Sequence, residues 1–249
     1  MEMSQFTVVS MHDEKYRPLA ELTSKKKYCE RHGYNLYVDD GTKMPSLKVH
    51  CGNPPVPEGH VPIGYTKFFA IKSALKEFPE TKWVFFTECD VMITNLKTKL
   101  ESLVEDSNGV HFMISADLNG LNTGNFLIRN SEIGIGFMNN ILSSLPLYKH
   151  FYLFENQYIQ DCLVGTRLTE QGVMNGGSLW ITVSKILPQR VLNSYDYARH
   201  PKLKNRKPVD IFGHDGQWKP GDFLVHWPAM SLEERIREAT HYLEKYVVS

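Results

Sequence analysis

The segment Trp83–Asn95, with the sequence WVFFTECDVMITN, is the most informative part of this chain. It opens with a nearly continuous apolar run, as expected of a strand that is covered on both faces of a sheet. Glu88 and Asp90 follow directly, at the edge where ligands bind in open α/β sheets. Residues two apart on an extended segment point the same way, so both carboxylates can face one hard cation. The spacing alone favours neither this metal site nor a pair of solvated acids at a strand end.

The sequence around this segment predicts an α/β fold. Short strands are expected over residues 6–10 and 35–38, with a helix over 19–32 between them that ends at Gly33. Such a unit opens a parallel sheet. The segment 40–64 predicts a long surface loop. Strands are further expected over 82–86, 112–116 and 125–128, and helices over 65–78, 131–144, 156–167 and 232–246.

Composition narrows the class of protein. The chain has 249 residues, and its 28 basic side chains balance its 28 acidic ones. A net charge of zero argues against nucleic-acid binding. No apolar run is long enough to cross a bilayer, so we expect no membrane span. The four cysteines form no closely spaced pair and the N-terminus resembles no signal peptide, which favours a cytosolic protein with reduced thiols.

Further polar side chains are expected at the same sheet edge. Asp117 follows the strand after the acidic pair, and Asn122-Thr123-Gly124 comes next. These amides and the glycine suit a tight turn that meets a polyhydroxyl ligand, although an ordinary hairpin turn is the better local interpretation. His226 ends a late apolar strand. A lone histidine there is usually structural, but imidazole is also the commonest nitrogen ligand of metals.

Several ordered segments resemble one known family, the galactosyl/mannosyl-transferases that include yeast α-galactosyl- and α-mannosyltransferases and plant xyloglucan α-xylosyltransferases. The resemblance runs from about residue 5 to 228. The matching segments are Ser24-Lys25-x-x-Tyr28-x-x-x-His32-Gly33-Tyr34, a helix with Lys67, Glu88-x-Asp90, LNTGNFLIRN at 121–130, Glu155-x-Gln157, LPQRVLNSY at 187–195 and GDFLVH at 221–226.

This resemblance implies a GT-A fold, which is a Rossmann-like, mixed and mainly parallel sheet flanked by helices. It implies a single domain over 1–249, with a nucleotide-binding half (1–100) and a donor-sugar and acceptor half (101–249). It also implies a glycosyltransferase that uses a nucleotide-sugar donor, with a UDP-sugar favoured, and a glycan acceptor. Mn²⁺ or Mg²⁺ is the implied cofactor, and transfer is expected to retain the anomeric configuration.

The resemblance also implies roles for individual residues. Glu88 and Asp90 occupy the acidic motif that holds the metal, and His226 matches the metal-binding histidine near the C-terminus. Gln157 matches the glutamine beside the anomeric carbon. Asp117 falls where the family contacts donor-sugar hydroxyls, and it is the acid that would act as nucleophile if transfer used a covalent intermediate.

The remaining implied contacts concern the donor. Asn122 falls where the family contacts the sugar, beside Gly124 in the turn. Lys67 is a candidate contact for the diphosphate. Ser10 and Asp40, at the ends of the first two strands, are candidate contacts for the nucleoside. For the acceptor we look to the Pro-rich segment 41–64 and the aromatic stretch 148–152.

Two departures and three alternatives accompany this interpretation. Glu88 is one methylene longer than the family's aspartate, and Trp227-Pro228-Ala229-Met230 replaces the glycine and cysteine usual after the histidine. The alternatives are an inactive sugar-binding or scaffold protein, a metal-dependent phosphohydrolase, and a weakly supported zinc site at Cys29-x-x-His32 and His50-Cys51. Because family members in eukaryotes are anchored in the Golgi, we expect a bacterial or viral cytosolic enzyme or the catalytic domain of an anchored one.

Overall fold

The computed structural model describes residues 4–42, 47–164, 166–169, 172–175 and 178–247, with backbone only for 166–169 and 172–175. The strands are β1 (Phe6–Met11), β2 (Asn35–Asp39), β3 (Lys48–His50), β4 (His60–Pro62), β5 (Trp83–Thr87), β6 (Val91–Ile93), β7 (Phe112–Asp117), β8 (Gly120–Arg129), β9 (Thr166–Thr169), β10 (Gly172–Asn175), β11 (Ser184–Leu187) and β12 (Leu224–His226). The helices are α1 (Arg17–Leu22), α2 (Lys25–His32), α3 (Ile63–Glu77), α4 (Leu100–Val104), α5 (Glu132–Ser143), α6 (Leu145–Tyr148), α7 (Phe154–Leu163), α8 (Gln189–Leu192) and α9 (Leu232–Lys245), with 3₁₀ turns at Glu14–Tyr16 and Leu179–Val183.

The main sheet has the strand order β11-β7-β8-β5-β1-β2. β1 runs parallel to β2 and β5, and β11 runs parallel to β7. β8 is antiparallel to both of its neighbours, β5 and β7. The sheet is therefore mixed and mainly parallel, as predicted. Strands of the first half (β5, β1, β2) and of the second half (β11, β7, β8) lie side by side and pair at β5–β8, so the two halves share one sheet.

Both faces of this sheet are covered, as the apolar run at Trp83 predicts. Neighbouring strands align Val8, Phe85 and Leu127 in one row, and these side chains are buried on one face. The next row aligns Val9, Phe86 and Phe126, which are buried on the other face. This period of two is the alternation of a pleated strand. The central strands therefore hold the residues that follow their ends in fixed positions.

The prediction of one continuous helix over 19–32 is wrong. The chain forms two helices, α1 and α2, with a break at Thr23 and Ser24. Thr23 takes an extended conformation with ψ of 140°. The hydroxyl of Ser24 donates to the carbonyl of Ile93, and Nζ of Lys25 donates to the carbonyl of Val91 at 2.6 Å. The start of α2 is thus bound to β6, a tertiary contact that no local pattern shows. Gly33 ends α2 with φ of 70°, as predicted.

Two predicted loops also differ from the structure. The segment 40–64 contains the parallel pair β3–β4 and the start of α3, while its residues 43–46 lie outside the described residues. The hairpin turn expected at 122–124 is wrong, because these residues belong to β8. The chain turns instead just after Asp117, whose Oδ1 accepts from the backbone N–H of Asn119 at 2.6 Å. This hydrogen bond to the side chain of Asp117 stabilises the turn. α7 also ends at Leu163 rather than 167.

Candidate active site

Two strand pairings bring the predicted metal ligands together. β5 ends at Thr87, and the N–H of Glu88 donates to the carbonyl of Gly124 at 2.9 Å. The short strand β6 that follows Asp90 pairs with β12, so that Val91 lies opposite His226. The N–H of Trp227 donates to the carbonyl of Asp90 at 3.1 Å. The histidine is thereby fixed beside the acids although it lies far along the chain.

The three side chains form a compact cluster. Ligand atoms of Glu88, Asp90 and His226 all lie within 4.8 Å of one another. Nε2 of His226 lies 3.4 Å from Oδ1 of Asp90 and 3.8 Å from Oε2 of Glu88. His226 is 2% exposed, and its Nε2 has no hydrogen-bond partner among the described residues. An unpaired buried nitrogen is costly. A lone pair aimed at two carboxylate oxygens fits a divalent cation that accepts oxygen and imidazole ligands.

In each acid of this cluster, one carboxylate oxygen contacts a cationic side chain and the other faces the centre of the cluster. Oε1 of Glu88 lies 2.9 Å from Nζ of Lys67, which leaves Oε2 toward His226. Oδ2 of Asp90 lies 2.8 Å from Nη2 of Arg235, which leaves Oδ1 toward His226. Burial by itself would raise the pKa of Asp90, but the positive charges of His226, when its ring is protonated, and of Arg235 outweigh burial and lower that pKa to about 2. Asp90 is thus an ionised, buried and paired acid rather than a loosely packed strand end.

Lys67 occupies the centre of a second set of contacts. Its ammonium donates to Glu88, to the carbonyl of Thr123 at 3.0 Å and to the hydroxyl of Thr123 at 2.8 Å, and it lies 3.2 Å from Oε1 of Glu155. Burial lowers the pKa of Lys67, but Glu88 and Glu155 more than offset this, so the net shift is upward. Contact with a diphosphate, the predicted role of Lys67, would therefore require the ammonium to release one of these acceptors.

Asp117 and Asn122 are adjacent, as the sequence predicts. Oδ2 of Asp117 accepts from Nδ2 of Asn122 at 2.9 Å and from the hydroxyl of Tyr195 at 2.6 Å. Oδ1 of Asn122 accepts from the N–H of Gly124 at 2.8 Å. Both predicted sugar contacts are therefore part of one hydrogen-bonded group, which lies against the cluster of Glu88, Asp90 and His226 through Gly124.

Gly124 provides space for the histidine ring. A Cβ atom at this position would lie 2.5 Å from Cε1 of His226 and 2.8 Å from Oδ1 of Asn122. Both distances are far below van der Waals contact. This steric requirement explains a glycine here without any contact to a ligand, and the predicted donor contact of Gly124 stays a prediction.

Gln157 lies on α7 and is held by Asp161, whose Oδ1 accepts from Nε2 of Gln157 at 2.9 Å. The side chains beside it point to the sheet. Glu155 is 2% exposed and accepts from the hydroxyl of Thr123 at 2.8 Å, while Oδ1 of Asn156 accepts from the N–H of Thr123 at 2.8 Å. The helix is thus anchored to β8 next to the cluster, with the amide of Gln157 on a different helix face.

Ser10 and Asp40 line one open cavity of about 510 Å³ at the ends of β1 and β2. Lys25 and Lys26 also line it, and Lys25 connects it to β6 through its bond to Val91. Burial lowers the pKa of Lys25 to about 8, an effect that the neighbouring acids only partly offset. The cavity is large enough for a nucleoside and lies next to β6, the strand that follows Asp90. Further lining residues are His12, Arg17, Ala20, Glu21, Thr23, Leu36 and Val38.

Two further predictions from the sequence concern a zinc site and the aromatic stretch 148–152. The zinc site is not formed, because Nε2 of His32 bonds to the carbonyl of Leu96 at 2.8 Å and Cys29 is buried in the core. In the aromatic stretch, Tyr148 is buried while Tyr152 is 70% exposed.

Arg235 was missed by sequence reasoning, since one arginine among the charged residues of α9 carries no signal. Tyr195 was also missed, although it lies in the quoted segment 187–195.

Comparison with known proteins agrees with this architecture. The chain matches the family model of the galactosyl transferase GMA12/MNN10 family over residues 7–106 and 101–234. An alpha-1,2-galactosyltransferase of Schizosaccharomyces pombe is 26% identical over 83% of this chain and 54% of its own length. A second, uncharacterized alpha-1,2-galactosyltransferase of that yeast is 30% identical over 51% of this chain and 40% of its own length. The chain thus spans about half the length of these relatives.

Solved structures show the same fold. A glycosyltransferase involved in the glycosylation of the major capsid of PBCV-1 superposes with a TM-score of 0.64, at 17% identity, over 96% of this chain and 100% of that one. The glycosyltransferase GlyE of Streptococcus pneumoniae gives 0.51 at 13% identity, over 96% of this chain and 62% of its own. Together with the mixed sheet, these likenesses confirm the expected GT-A fold. Among the described residues, no helix is both long and apolar enough to span a membrane. By its sequence match, the chain belongs to the galactosyl transferase GMA12/MNN10 family.

Proposed function

We propose that this chain is a metal-dependent, retaining glycosyltransferase that moves a sugar from a nucleotide-diphosphate sugar to a hydroxyl group of a glycan. The main observation in support is the buried, unpartnered Nε2 of His226, which faces one oxygen each of Glu88 and Asp90. Two carboxylates and one imidazole are a suitable set for Mn²⁺ or Mg²⁺. When bound there, the cation would supply Lewis-acid neutralisation of the diphosphate leaving group.

The proposed donor binding follows the sheet edge. The nucleoside would occupy the cavity at Ser10 and Asp40, in the half formed by residues 1–100. The diphosphate would then lie toward Glu88 and Asp90, with the sugar beside Asp117 and Asn122. Lys25 bridges cavity and cluster by its contact with Val91. We favour a UDP-sugar, and a galactosyl donor is the first to test because the relatives compared above are galactosyltransferases by name.

Gln157 is our candidate for the acceptor side of the anomeric carbon. Its amide cannot accept a proton at neutral pH, which disfavours the base-assisted attack of an inverting enzyme. Asp161 holds the Nε2 end of the amide, so the Oε1 end is the one oriented to stabilise positive charge at the anomeric carbon. The acceptor hydroxyl would give its proton to the departing phosphate oxygen, and the new bond would form on the face that the phosphate leaves.

A thermal-shift panel of nucleotide sugars, each with and without Mn²⁺, tests the proposal, because a ligand that binds only the folded state raises Tm. We expect Mn²⁺ and a UDP-sugar together to raise Tm more than either alone, and slow Mn²⁺-dependent hydrolysis of the same donor. The variant His226→Asn should lose the Mn²⁺-dependent part of the shift. Binding without hydrolysis or transfer would instead indicate an inactive sugar-binding protein. Phosphate release from simple phosphoesters would indicate a phosphohydrolase.

A further inference from the structure

A buried chain of hydrogen bonds connects Asp117 to His226. The hydroxyl of Tyr195 donates to Oδ2 of Asp117 at 2.6 Å, and Nδ2 of Asn193 lies 3.1 Å from the hydroxyl oxygen of Tyr195. Oδ1 of Asn193 lies 2.7 Å from Nδ1 of His226. Asp117, Asn193, Tyr195 and His226 are each at most 4% exposed. Bulk solvent is thus kept from most of this chain, and its members satisfy one another's hydrogen bonds.

The ionised carboxylate at one end sets the direction of every bond. Asp117 can only accept, so the single hydroxyl hydrogen of Tyr195 is directed to it. Burial, together with the charge of Asp117, raises the pKa of Tyr195 well above its usual value, so the hydroxyl keeps this hydrogen. The oxygen of Tyr195 is then left as an acceptor. It accepts from Nδ2 of Asn193 and, at 3.2 Å, from Nδ2 of Asn122.

The orientation of the Asn193 amide follows from this. Because its Nδ2 faces Tyr195, its Oδ1 faces His226 and requires a donor there. Nδ1 of His226 must therefore carry the hydrogen, and Nε2 of a neutral imidazole must carry the lone pair. Nε2 is the nitrogen that faces Glu88 and Asp90. Reversal of the amide would place Oδ1 of Asn193 against the oxygen of Tyr195, which are two acceptors with no hydrogen between them.

We infer that Asn193 and Tyr195 are positioning residues that hold His226 in the tautomer with a free Nε2, using Asp117 as the fixed acceptor at the far end. The inference rests on the proposed metal site, to which it adds the residues that orient its nitrogen ligand. Partners of this kind typically raise metal affinity 10- to 100-fold. It also means that the donor-sugar side of the site, at Asp117, and the metal side are connected by side chains.

Nitrogen-15 NMR of the metal-free protein labelled at histidine tests the inference directly, since protonated and unprotonated ring nitrogens have different shifts. The spectra of wild type and all variants are recorded at the same pH of about 8. The signals of His226 are those that disappear in His226→Asn. We expect wild type to carry the proton on Nδ1. Asn193→Asp keeps an acceptor and should keep this tautomer, whereas Asn193→Leu should shift the proton to Nε2. Tyr195→Phe should give a mixture.

Binding of Mn²⁺ alone, followed by electron paramagnetic resonance of the free ion, gives the second readout. Asn193→Leu should bind Mn²⁺ about 10- to 100-fold more weakly than wild type, and Asn193→Asp within a few-fold of it. If Asn193→Leu does not fold, Tyr195→Phe decides, since it preserves volume and removes one oxygen. Unchanged tautomer and unchanged Mn²⁺ affinity in the folded variants would overturn the inference. Wild type that binds no Mn²⁺ but shows the expected tautomers would overturn the proposed function alone.

Discussion

The α-carbon of Gly124 faces the imidazole of His226 so closely that an added Cβ would lie 2.5 Å from Cε1 of the ring. The ring has little freedom to move, because its Nδ1 is bonded to Asn193 and its backbone N–H to the carbonyl of Ser194 at 2.9 Å. Position 124 therefore controls whether the histidine reaches the two acids.

Gly124→Ala should displace His226 and reduce activity on the order of 100-fold, as misplacement by about 1 Å does in other active sites. Mn²⁺ affinity should fall in parallel, which calorimetry would measure. Gly136→Ala is the matched control. Gly136 lies in α5, where a Cβ would meet only Trp180 at 3.8 Å, and this variant should be active and slightly more stable. Full activity in Gly124→Ala would show that the ring position is unimportant.

Asp90→Asn should lower Mn²⁺-dependent transfer by at least about 100-fold, because it removes a charged ligand of the proposed cation, whose Lewis acidity contributes roughly several kcal/mol in the transition state. We choose asparagine over alanine because its amide oxygen still accepts from Arg235. Glu88→Asp, which restores the family's acid, should remain active. Asp222→Asn breaks an ion pair with Arg190 away from the cluster and serves as control. Assays with and without EDTA decide the matter, and EDTA-resistant activity would contradict the metal assignment.

Lys67→Met should destabilise the fold by about 3–5 kcal/mol, because it leaves the buried carboxylate of Glu155 and one oxygen of Glu88 without their cation. Urea unfolding would measure the loss. Adding Glu155→Gln should restore part of it. Lys72→Met on the same helix, where the exposed ammonium donates to Asn139, should change stability by less than about 0.5 kcal/mol. Equal stability of both methionine variants would mean that the buried pairing contributes nothing.

Lys26→Ala should weaken binding of the donor nucleotide a few-fold, by removing a positive charge from the wall of the 510 Å³ cavity. Lys27→Ala is a close control, because Lys27 is an equally exposed neighbour on α2 that does not line the cavity. Titration calorimetry with UDP and Mn²⁺ compares them. Identical affinities in the two variants would place the nucleotide elsewhere.

Retention of configuration is the expected stereochemical outcome. In the proposed site the amide of Gln157, which cannot act as a base, faces the acceptor, so an α-linked donor should give an α-linked product. Gln157→Ala should lower turnover more than donor affinity, and Gln157→Glu should not restore it. Proton NMR of the fresh product measures the anomeric coupling. A large coupling from a gluco- or galacto-configured donor would indicate inversion and move the catalytic role to Glu155 or Asp161.

The local sequence pattern predicts the central strands well, because strands that are buried on both faces appear in the sequence as continuous apolar runs. The same is true of Glu88 and Asp90, whose spacing is a property of one strand end. His226 reaches them only through the β6–β12 pairing, so its ligand role came from the family resemblance rather than from spacing.

What the sequence does not show is set by contacts between distant segments. The break in the predicted helix at Thr23 and Ser24 depends on β6, a strand much later in the chain. The turn after Asp117 competes with an equally plausible one at 122–124, and sheet register decides between them. Arg235 looks like any solvent-facing arginine of an amphipathic helix until α9 is placed beside Asp90.

The pairing of Asp90 with Arg235 has a consequence for biosynthesis. A ribosome releases the acids of the cluster long before it releases β12 and α9, which supply the histidine and the arginine. While synthesis proceeds, the nascent chain has Lys67 for Glu88 and Lys25 near Asp90, but it lacks Arg235, the cation in direct contact with Asp90. We therefore expect Asp90 to stay in contact with water until α9 docks. The cluster of Glu88, Asp90 and His226 is thus completed late in folding, and we expect the proposed metal site to gain affinity only after β12 and α9 have emerged.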